Sequence, residues 1–151
     1  MAGRLSGFFL KMVSSFFFVG YLPVPGTFGS LAGLGIYFLL NGSPVPVLAA
    51  CGACLLVGWA VCGAAERAFG KKDPSHIVID EVAGILLALV FVPFDLKLVI
   101  IGFFFFRLLD TLKPFPCGRI QDLHGASGIM LDDVVAALYT NLILQIIARL
   151  I

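Results

Sequence analysis

Residues 45–69 read VPVLAACGACLLVGWAVCGAAERAF, and the fold class turns on this stretch. It carries no charge before Glu66 and Arg67. A helix needs about 20 predominantly apolar residues to cross the hydrocarbon core of a bilayer, and this run supplies them. The rest of the chain agrees. Of its 151 residues, 60% are hydrophobic and 13% are charged, against about 25% charged in an ordinary soluble domain. Mean hydropathy is +1.08. A soluble domain of this length needs more polar surface, so a membrane setting is expected. The formal net charge of +1 lacks the basic footprint of a nucleic-acid-binding protein, and no nucleic-acid partner is expected. No A-x-A-like cleavage site follows the apolar stretch 5–21, so the N-terminus is expected to be retained.

Outward from that run, apolar segments broken by Gly and Pro predict a single all-α domain over 1–151. It is a compact bundle of about six helices, membrane-embedded or membrane-associated. The predicted helices cover 5–19, 28–40, 45–69, 79–92, 96–112 and 130–151. Only the third spans comfortably. Residues 82–92, for example, would cover about 17 Å at 1.5 Å per residue. The first segment carries Lys11 in mid-run and is read as interfacial or tucked against the bundle. Arg67, Lys71 and Lys72 follow the third helix; Arg107, Lys113 and Arg119 follow the apolar part of the fifth. The positive-inside rule makes these ends cytoplasmic and places the loops near Gly42 and Asp95 outside.

This orientation gathers Asp73, Asp80, Glu81, Asp110, Asp122, Asp132 and Asp133 on one side, with Asp95 the exception. Acids beside apolar segments are costly, and are usually paired, metal-bound or functional. Asp80-Glu81 opens the fourth helix. Two adjacent acids there either complement the helix dipole or ligate a metal through oxygen, which Mg²⁺ prefers. The apolar run directly downstream favours ligation. Arg107, Asp110 and Lys113, spaced by three, share one helical face. A carboxylate there takes a metal or acts as a base, and Arg and Lys hold phosphate oxygens; the alternative is a juxtamembrane salt-bridge cluster. The stretch GASGIMLDD at 125–133 is expected to deliver Asp132 and Asp133 into the first turn of the last helix. Neighbouring acids repel unless a cation lies between them; the alternative is again dipole complementation. His124 is either a phosphate or proton donor or an incidental loop residue. In PVPGTFGS at 23–30, Thr27 and Ser30 open a helix whose N–H groups could cradle an anion, or form an ordinary turn and cap.

Other chemistries fail on spacing. Cys51-x-x-Cys54 has half of a zinc pattern but no second pair at ligand distance, so the cysteines are read as small apolar side chains. Pro74-Ser75-His76 lacks the glycine of the P-S-G-H acid-phosphatase motif. Cys62 and Arg67 are one residue too close for C-x5-R. No D-x-D-x-T, D-G-x-x-A-R or P-loop occurs.

The sequence resembles the phosphatidylglycerophosphatase A family of Mg²⁺-dependent lipid phosphatases. The resemblance rests on PGTFGS at 25–30, IVIDEVAG at 77–84, FRLLDTLKPFP at 106–116 and GIMLDDVVAALY at 128–139. These four motifs, in order, cover most of 21–139. One departure is Ala126-Ser127, where a glycine pair is usual. The resemblance implies an all-α bundle in a bacterial inner membrane, with its active site facing the cytoplasm. It also implies hydrolysis of phosphatidylglycerophosphate to phosphatidylglycerol and phosphate, within phospholipid biosynthesis.

On this reading Asp80, Glu81, Asp110, Asp132 and Asp133 bind one or two Mg²⁺, which activate a water in line with the leaving oxygen. Arg107 and Lys113 stabilise the phosphoryl oxygens, and Thr27 and Ser30 complete the phosphate pocket. Direct water attack and an aspartyl-phosphate intermediate both stay open. The partners are the lipid substrate and the bilayer; nothing in the sequence sets an oligomeric state. The rival from another class is a small membrane cation carrier or channel subunit using the clustered acids. A second rival is a soluble or peripheral protein acting on a small phosphate ester.

Overall fold

The computed structural model describes the backbone of residues 2–151 and side-chain surroundings from residue 6 onward. In order, the chain forms α1 (Ala2–Ser14), a 3-10 turn (Val19–Tyr21), α2 (Pro25–Leu39), α3 (Pro44–Phe69) and α4 (Ile79–Leu89). There follow α5 (Leu96–Leu112), the short α6 (Cys117–Ile120) and α7 (Ala126–Leu150). The fold is all-α, as expected, with no strand among the described residues.

The boundaries move for local reasons. α2 and α3 each start on a proline, at Pro25 and Pro44, where the fixed φ suits a first turn and the missing N–H costs nothing. α7 begins at Ala126, earlier than the sequence pattern suggests, because Gly125 turns the chain at φ 72. The additional short helix, α6, lies in what reads as a Pro- and Gly-rich loop.

α4 is the central element. Nine residues of its 11-residue span are buried, the pattern of a helix that is apolar all round. It is sheathed by α2, α3, α5 and α7. Ile85, Leu86, Leu89, Phe106 and Leu144 form the middle of this core and are essentially inaccessible. α2 comes close to α4 at Gly33, where an added Cβ would lie 2.3 Å from Ile85 Cγ2 and 2.9 Å from the Val82 carbonyl oxygen.

α4 ends inside the bundle, and its last carbonyls need donors. α7 supplies them. Asn141 Nδ2 donates to the carbonyls of Leu87, Ala88 and Val90 at 3.3, 3.0 and 2.8 Å, and Gln145 Nε2 donates to Phe91 at 2.9 Å. A helix too short to span thereby sits in apolar surroundings with its backbone satisfied. At the far end of the bundle Asp95 caps α5, accepting from the Lys97 and Leu98 N–H groups.

Two helices, Pro44–Phe69 and Ala126–Leu150, are long and apolar enough to cross a membrane. The second does not read as a comfortable span from its residues, because Asp132, Asp133, Asn141, Gln145 and Arg149 interrupt its apolar run. The outer surface carries Leu39, Leu56, Phe104, Leu112 and Leu142 exposed. An apolar surface this extensive suits lipid contact. α1 packs along α3, with Lys11 Nζ 5.0 Å from the centre of the Phe69 ring.

The α2–α4 contact makes a two-sided prediction. Gly33→Ala should destabilise the protein by about 1–3 kcal/mol through overpacking. Gly35→Ala, where nothing lies within 4 Å, should be neutral or gain up to about 1 kcal/mol from helix propensity. Thermal unfolding of both variants in detergent measures the difference, and equal midpoints would contradict the packing described.

Candidate active site

The N-terminus of α4, the C-terminus of α5, the second turn of α7 and the α3–α4 loop converge on a cavity of about 220 Å³. Six acids line it: Asp73, Asp80, Glu81, Asp110, Asp132 and Asp133, with Lys113 beside them. Two carboxylate groups within it are tight enough to hold a metal ion. Asp80, Glu81 and Asp133 offer oxygens within 4.8 Å of one another, as do Asp110, Asp132 and Asp133. Asp133 is common to both.

Each acid reaches the cavity through a local feature of the chain. Asp80 and Glu81 occupy the first turn of α4, where the helix dipole favours negative charge. Asp110 sits near the end of α5, one turn after Arg107. Arg107 Nη1 donates to Asp110 Oδ2 at 2.8 Å. Lys113, the C-cap of α5 at φ 48, turns out of the helix and donates to Asp132 Oδ2 at 2.8 Å. Asp132 and Asp133 do not lie in the first turn of α7, as their position behind the glycine loop suggested. The helix starts at Ala126 and has no acid in its first turn. The dipole reading of this pair therefore loses its basis, because the macrodipole effect fades beyond the first turn.

The electrostatics divide the site. The Arg107–Asp110 and Lys113–Asp132 pairs are partly solvent-exposed. In contrast, Asp80 Oδ1, Glu81 Oε2 and Asp133 Oδ1 are buried with no hydrogen-bond partner among the described residues. Burial of unpaired carboxylate oxygens is strongly unfavourable. Oxygen-only donors converging in this way fit a hard divalent cation such as Mg²⁺. Among the described residues both metal-competent groups consist of carboxylates alone. Burial works to lower the Lys113 pKa, but its bond to Asp132 and the surrounding acids raise it overall. Lys113 therefore stays a protonated donor.

Some expected residues lie elsewhere. Thr27, Ser30 and Arg107 do not line the acid cavity, which Arg107 meets only through Asp110. The Ser30 hydroxyl is buried and donates to the Gly26 carbonyl at 3.0 Å, and the Thr27 N–H is taken by the Val24 carbonyl at 3.1 Å. What the 25–30 motif brings to the site is Gly26. A Cβ there would lie 2.6 Å from Arg107 Nη2 and 2.9 Å from Glu81 Oε1, so the bare backbone lets α2 close over both side chains. His124 joins Arg67, Lys71 and Lys72 in a separate surface pocket. Cys51 donates to the Ala83 carbonyl at 3.6 Å and Cys62 lies 3.8 Å from Met130 Sδ, in apolar packing.

The sequence groups Asp73 with the other acids but assigns neither it nor Ser75 to the site, and both line the cavity. Their signal was proximity, since a short α3–α4 connection leading into Asp80 leaves little room to point elsewhere. Burial raises the pKa of Asp73, opposed by Lys113 and reinforced by Glu66 and Asp110.

The arrangement pairs a carboxylate nest suited to a divalent cation with two fixed cations, Arg107 and Lys113, suited to an anion. Comparison with known proteins agrees. The family model for phosphatidylglycerophosphatase A matches residues 12–148. A phosphatidylglycerophosphatase A of Haemophilus influenzae is 36% identical over 125 residues, 80% of this chain and 77% of that one. One of Escherichia coli is 36% identical over 131 residues, 83% of this chain and 75% of that one. A Bacteroides thetaiotaomicron protein, named as a candidate phosphatidylinositol-3-phosphatase, is 31% identical over 148 residues, covering 89% and 91% of the two chains. No solved structure matches. With the family model spanning every cavity acid, the chain belongs to the phosphatidylglycerophosphatase A family.

Proposed function

We propose that the protein hydrolyses phosphatidylglycerophosphate to phosphatidylglycerol and phosphate in an Mg²⁺-dependent reaction, as a step of phospholipid biosynthesis. The observation that carries this reading is the set of three partnerless buried carboxylate oxygens, on Asp80, Glu81 and Asp133, in one cavity with Lys113. The names of the two relatives at 36% identity point to this substrate. The Bacteroides relative's name shares the chemistry, a phosphate monoester on a lipid headgroup.

In this mechanism Asp80, Glu81 and Asp133 would hold Mg²⁺, and Asp110 and Asp132 would complete the set through the shared Asp133. The bound ion supplies positive charge against the phosphoryl oxygens and makes water a better nucleophile at neutral pH. The protein's own groups do the rest. Lys113, kept protonated by Asp132, faces the anionic headgroup as a point charge. Arg107, held by Asp110 and roofed by Gly26, offers its remaining guanidinium donors to phosphate oxygens. Positioning and charge stabilisation are what phosphoryl transfer chiefly requires. Water oxygen forms a bond to phosphorus as the ester bond between phosphorus and the glycerol oxygen breaks; the departing alkoxide takes up a proton given up by the attacking water, which leaves phosphatidylglycerol and inorganic phosphate.

A small cation carrier is not favoured. The acids close one pocket rather than line a path, and two cations stand among them.

We place the protein in a bacterial inner membrane with this cavity on the cytoplasmic side. The two apolar helices α3 and α7 and the basic residues after α3 support that orientation. The lipid's tails then stay in the bilayer while its headgroup reaches the acids.

Two experiments test the proposal. Purified protein in mixed micelles should release phosphate from phosphatidylglycerophosphate with Mg²⁺ and lose the activity in EDTA. Asp133→Asn should lower kcat by more than the about 10- to 100-fold typical of losing an outer partner of a metal ligand, with an unfolding midpoint in EDTA no lower than that of the wild type; full activity in EDTA would defeat the reading. For orientation, a membrane-impermeant maleimide applied to spheroplasts should label Phe94→Cys, and should label Lys72→Cys only after permeabilisation. The reverse pattern would put the site on the outer face.

A further inference from the structure

We propose that Glu66 is a positioning residue for the acid cavity, one carboxylate that fastens the loop before α4 to the loop before α7. Its Oε1 accepts the Asp73 N–H at 2.9 Å, and its Oε2 accepts the Gly125 N–H at 3.2 Å. Glu66 does not itself line the cavity. Its two oxygens are spent on backbone, one from each segment that delivers carboxylates.

The two segments need such a fastening. Asp73 is a non-glycine residue at φ 45, and Gly125 sits at φ 72. A left-handed non-glycine conformation persists only where its surroundings hold it. The first segment carries Asp73 and Ser75 into the cavity and runs on to Asp80 and Glu81. The second caps α7, the helix of Asp132 and Asp133. Asp80, Glu81 and Asp133 must meet within 4.8 Å, yet they come from two helices. The offset between those helix starts is therefore what the cavity's shape depends on.

The sequence around Glu66 serves this contact. Gly63, one turn earlier on α3, places no side chain against α7. Ala126 N and Gly125 Cα lie 3.5 and 3.9 Å from where its Cβ would be. The second segment thus approaches α3 closely enough for Glu66 to reach it. An outer tie joins the same segments, with Lys72 Nζ donating to the Asp122 carbonyl at 3.2 Å. That bond is exposed, whereas the Glu66 bonds are partly buried.

The activity and metal arms of the test rest on the proposed function; the structural arm does not. The variants are Glu66→Ala, which removes both acceptors, and Glu66→Gln, which keeps the size but retains only one acceptor oxygen. The full-length protein is studied in detergent. Amide exchange by mass spectrometry over residues 70–76 and 121–128 reads the fastening directly. Titration with Mg²⁺, followed by the unfolding midpoint of the metal-free protein, reads the site. The proposal expects faster exchange in both segments of Glu66→Ala, with α4 and α5 exchanging as in the wild type. It also expects about a 10- to 100-fold weaker Mg²⁺ affinity, a kcat that falls more than KM rises, and intermediate values for Glu66→Gln.

Unchanged exchange in either segment would overturn it. So would faster exchange throughout the bundle, which marks Glu66 as merely structural, or an unchanged Mg²⁺ affinity. Should Glu66→Ala not fold, Glu66→Gln decides by the same measures. If the wild type neither binds Mg²⁺ nor releases phosphate, the proposed function fails, and the exchange data alone decide the role of Glu66.

Discussion

Asp80, Glu81 and Asp133 bury carboxylate oxygens that nothing among the described residues hydrogen-bonds, and the rest of the structure is arranged around that cost. An unpaired buried charge is penalised by several kcal/mol even after relaxation. A fold seeking stability alone would place apolar side chains here. Divalent-cation binding offsets the penalty, and the folding of the site and the binding of the ion are then coupled. The same logic explains why Lys113 and Arg107 do not neutralise the three orphans. Each is committed to another acid, Asp132 or Asp110; Lys113 keeps its charge in the cavity lining, and Arg107 keeps its own beside Asp110.

The bundle is built to carry this site. α4 starts with the acids and is otherwise almost wholly apolar and buried, so its position is fixed by packing on every side. It is too short to span a bilayer, and Asn141 and Gln145 on α7 receive its far end. α7 therefore serves both ends of α4. It gives Asp133 to the N-terminus and amide donors to the C-terminus, and the helix that closes the site is also the one that makes a half-length central helix tolerable.

Much of this was legible in the residues. The apolar run at 45–69 indicated a membrane setting, and Gly and Pro punctuation gave an all-α bundle with nearly the right number of helices. Charge placement put Asp80, Glu81, Asp110, Lys113, Asp132 and Asp133 on one side, and all of them line one cavity. What could not be read was geometry that depends on a single backbone angle or a long-range approach. The positive φ of Gly125 moves the start of α7 and takes Asp132 and Asp133 out of its first turn. The glycines and hydroxyls of the 25–30 motif fit either an anion cradle of backbone N–H groups or an ordinary turn and cap. Its contribution to the site is instead the missing side chain of Gly26, which matters only once α2 meets Arg107 and Glu81. The role of Glu66 is not legible in the sequence, because the backbone N–H groups that donate to it are common to nearly every residue.

The central claim is that the partnerless carboxylates form a divalent-cation site. Anomalous diffraction from crystals grown with Mn²⁺ in place of Mg²⁺ tests it most directly. The account predicts an anomalous peak bonded to Asp80, Glu81 and Asp133. Diffraction of comparable quality with no peak there, and with these carboxylates hydrogen-bonded to one another or to water, would contradict it.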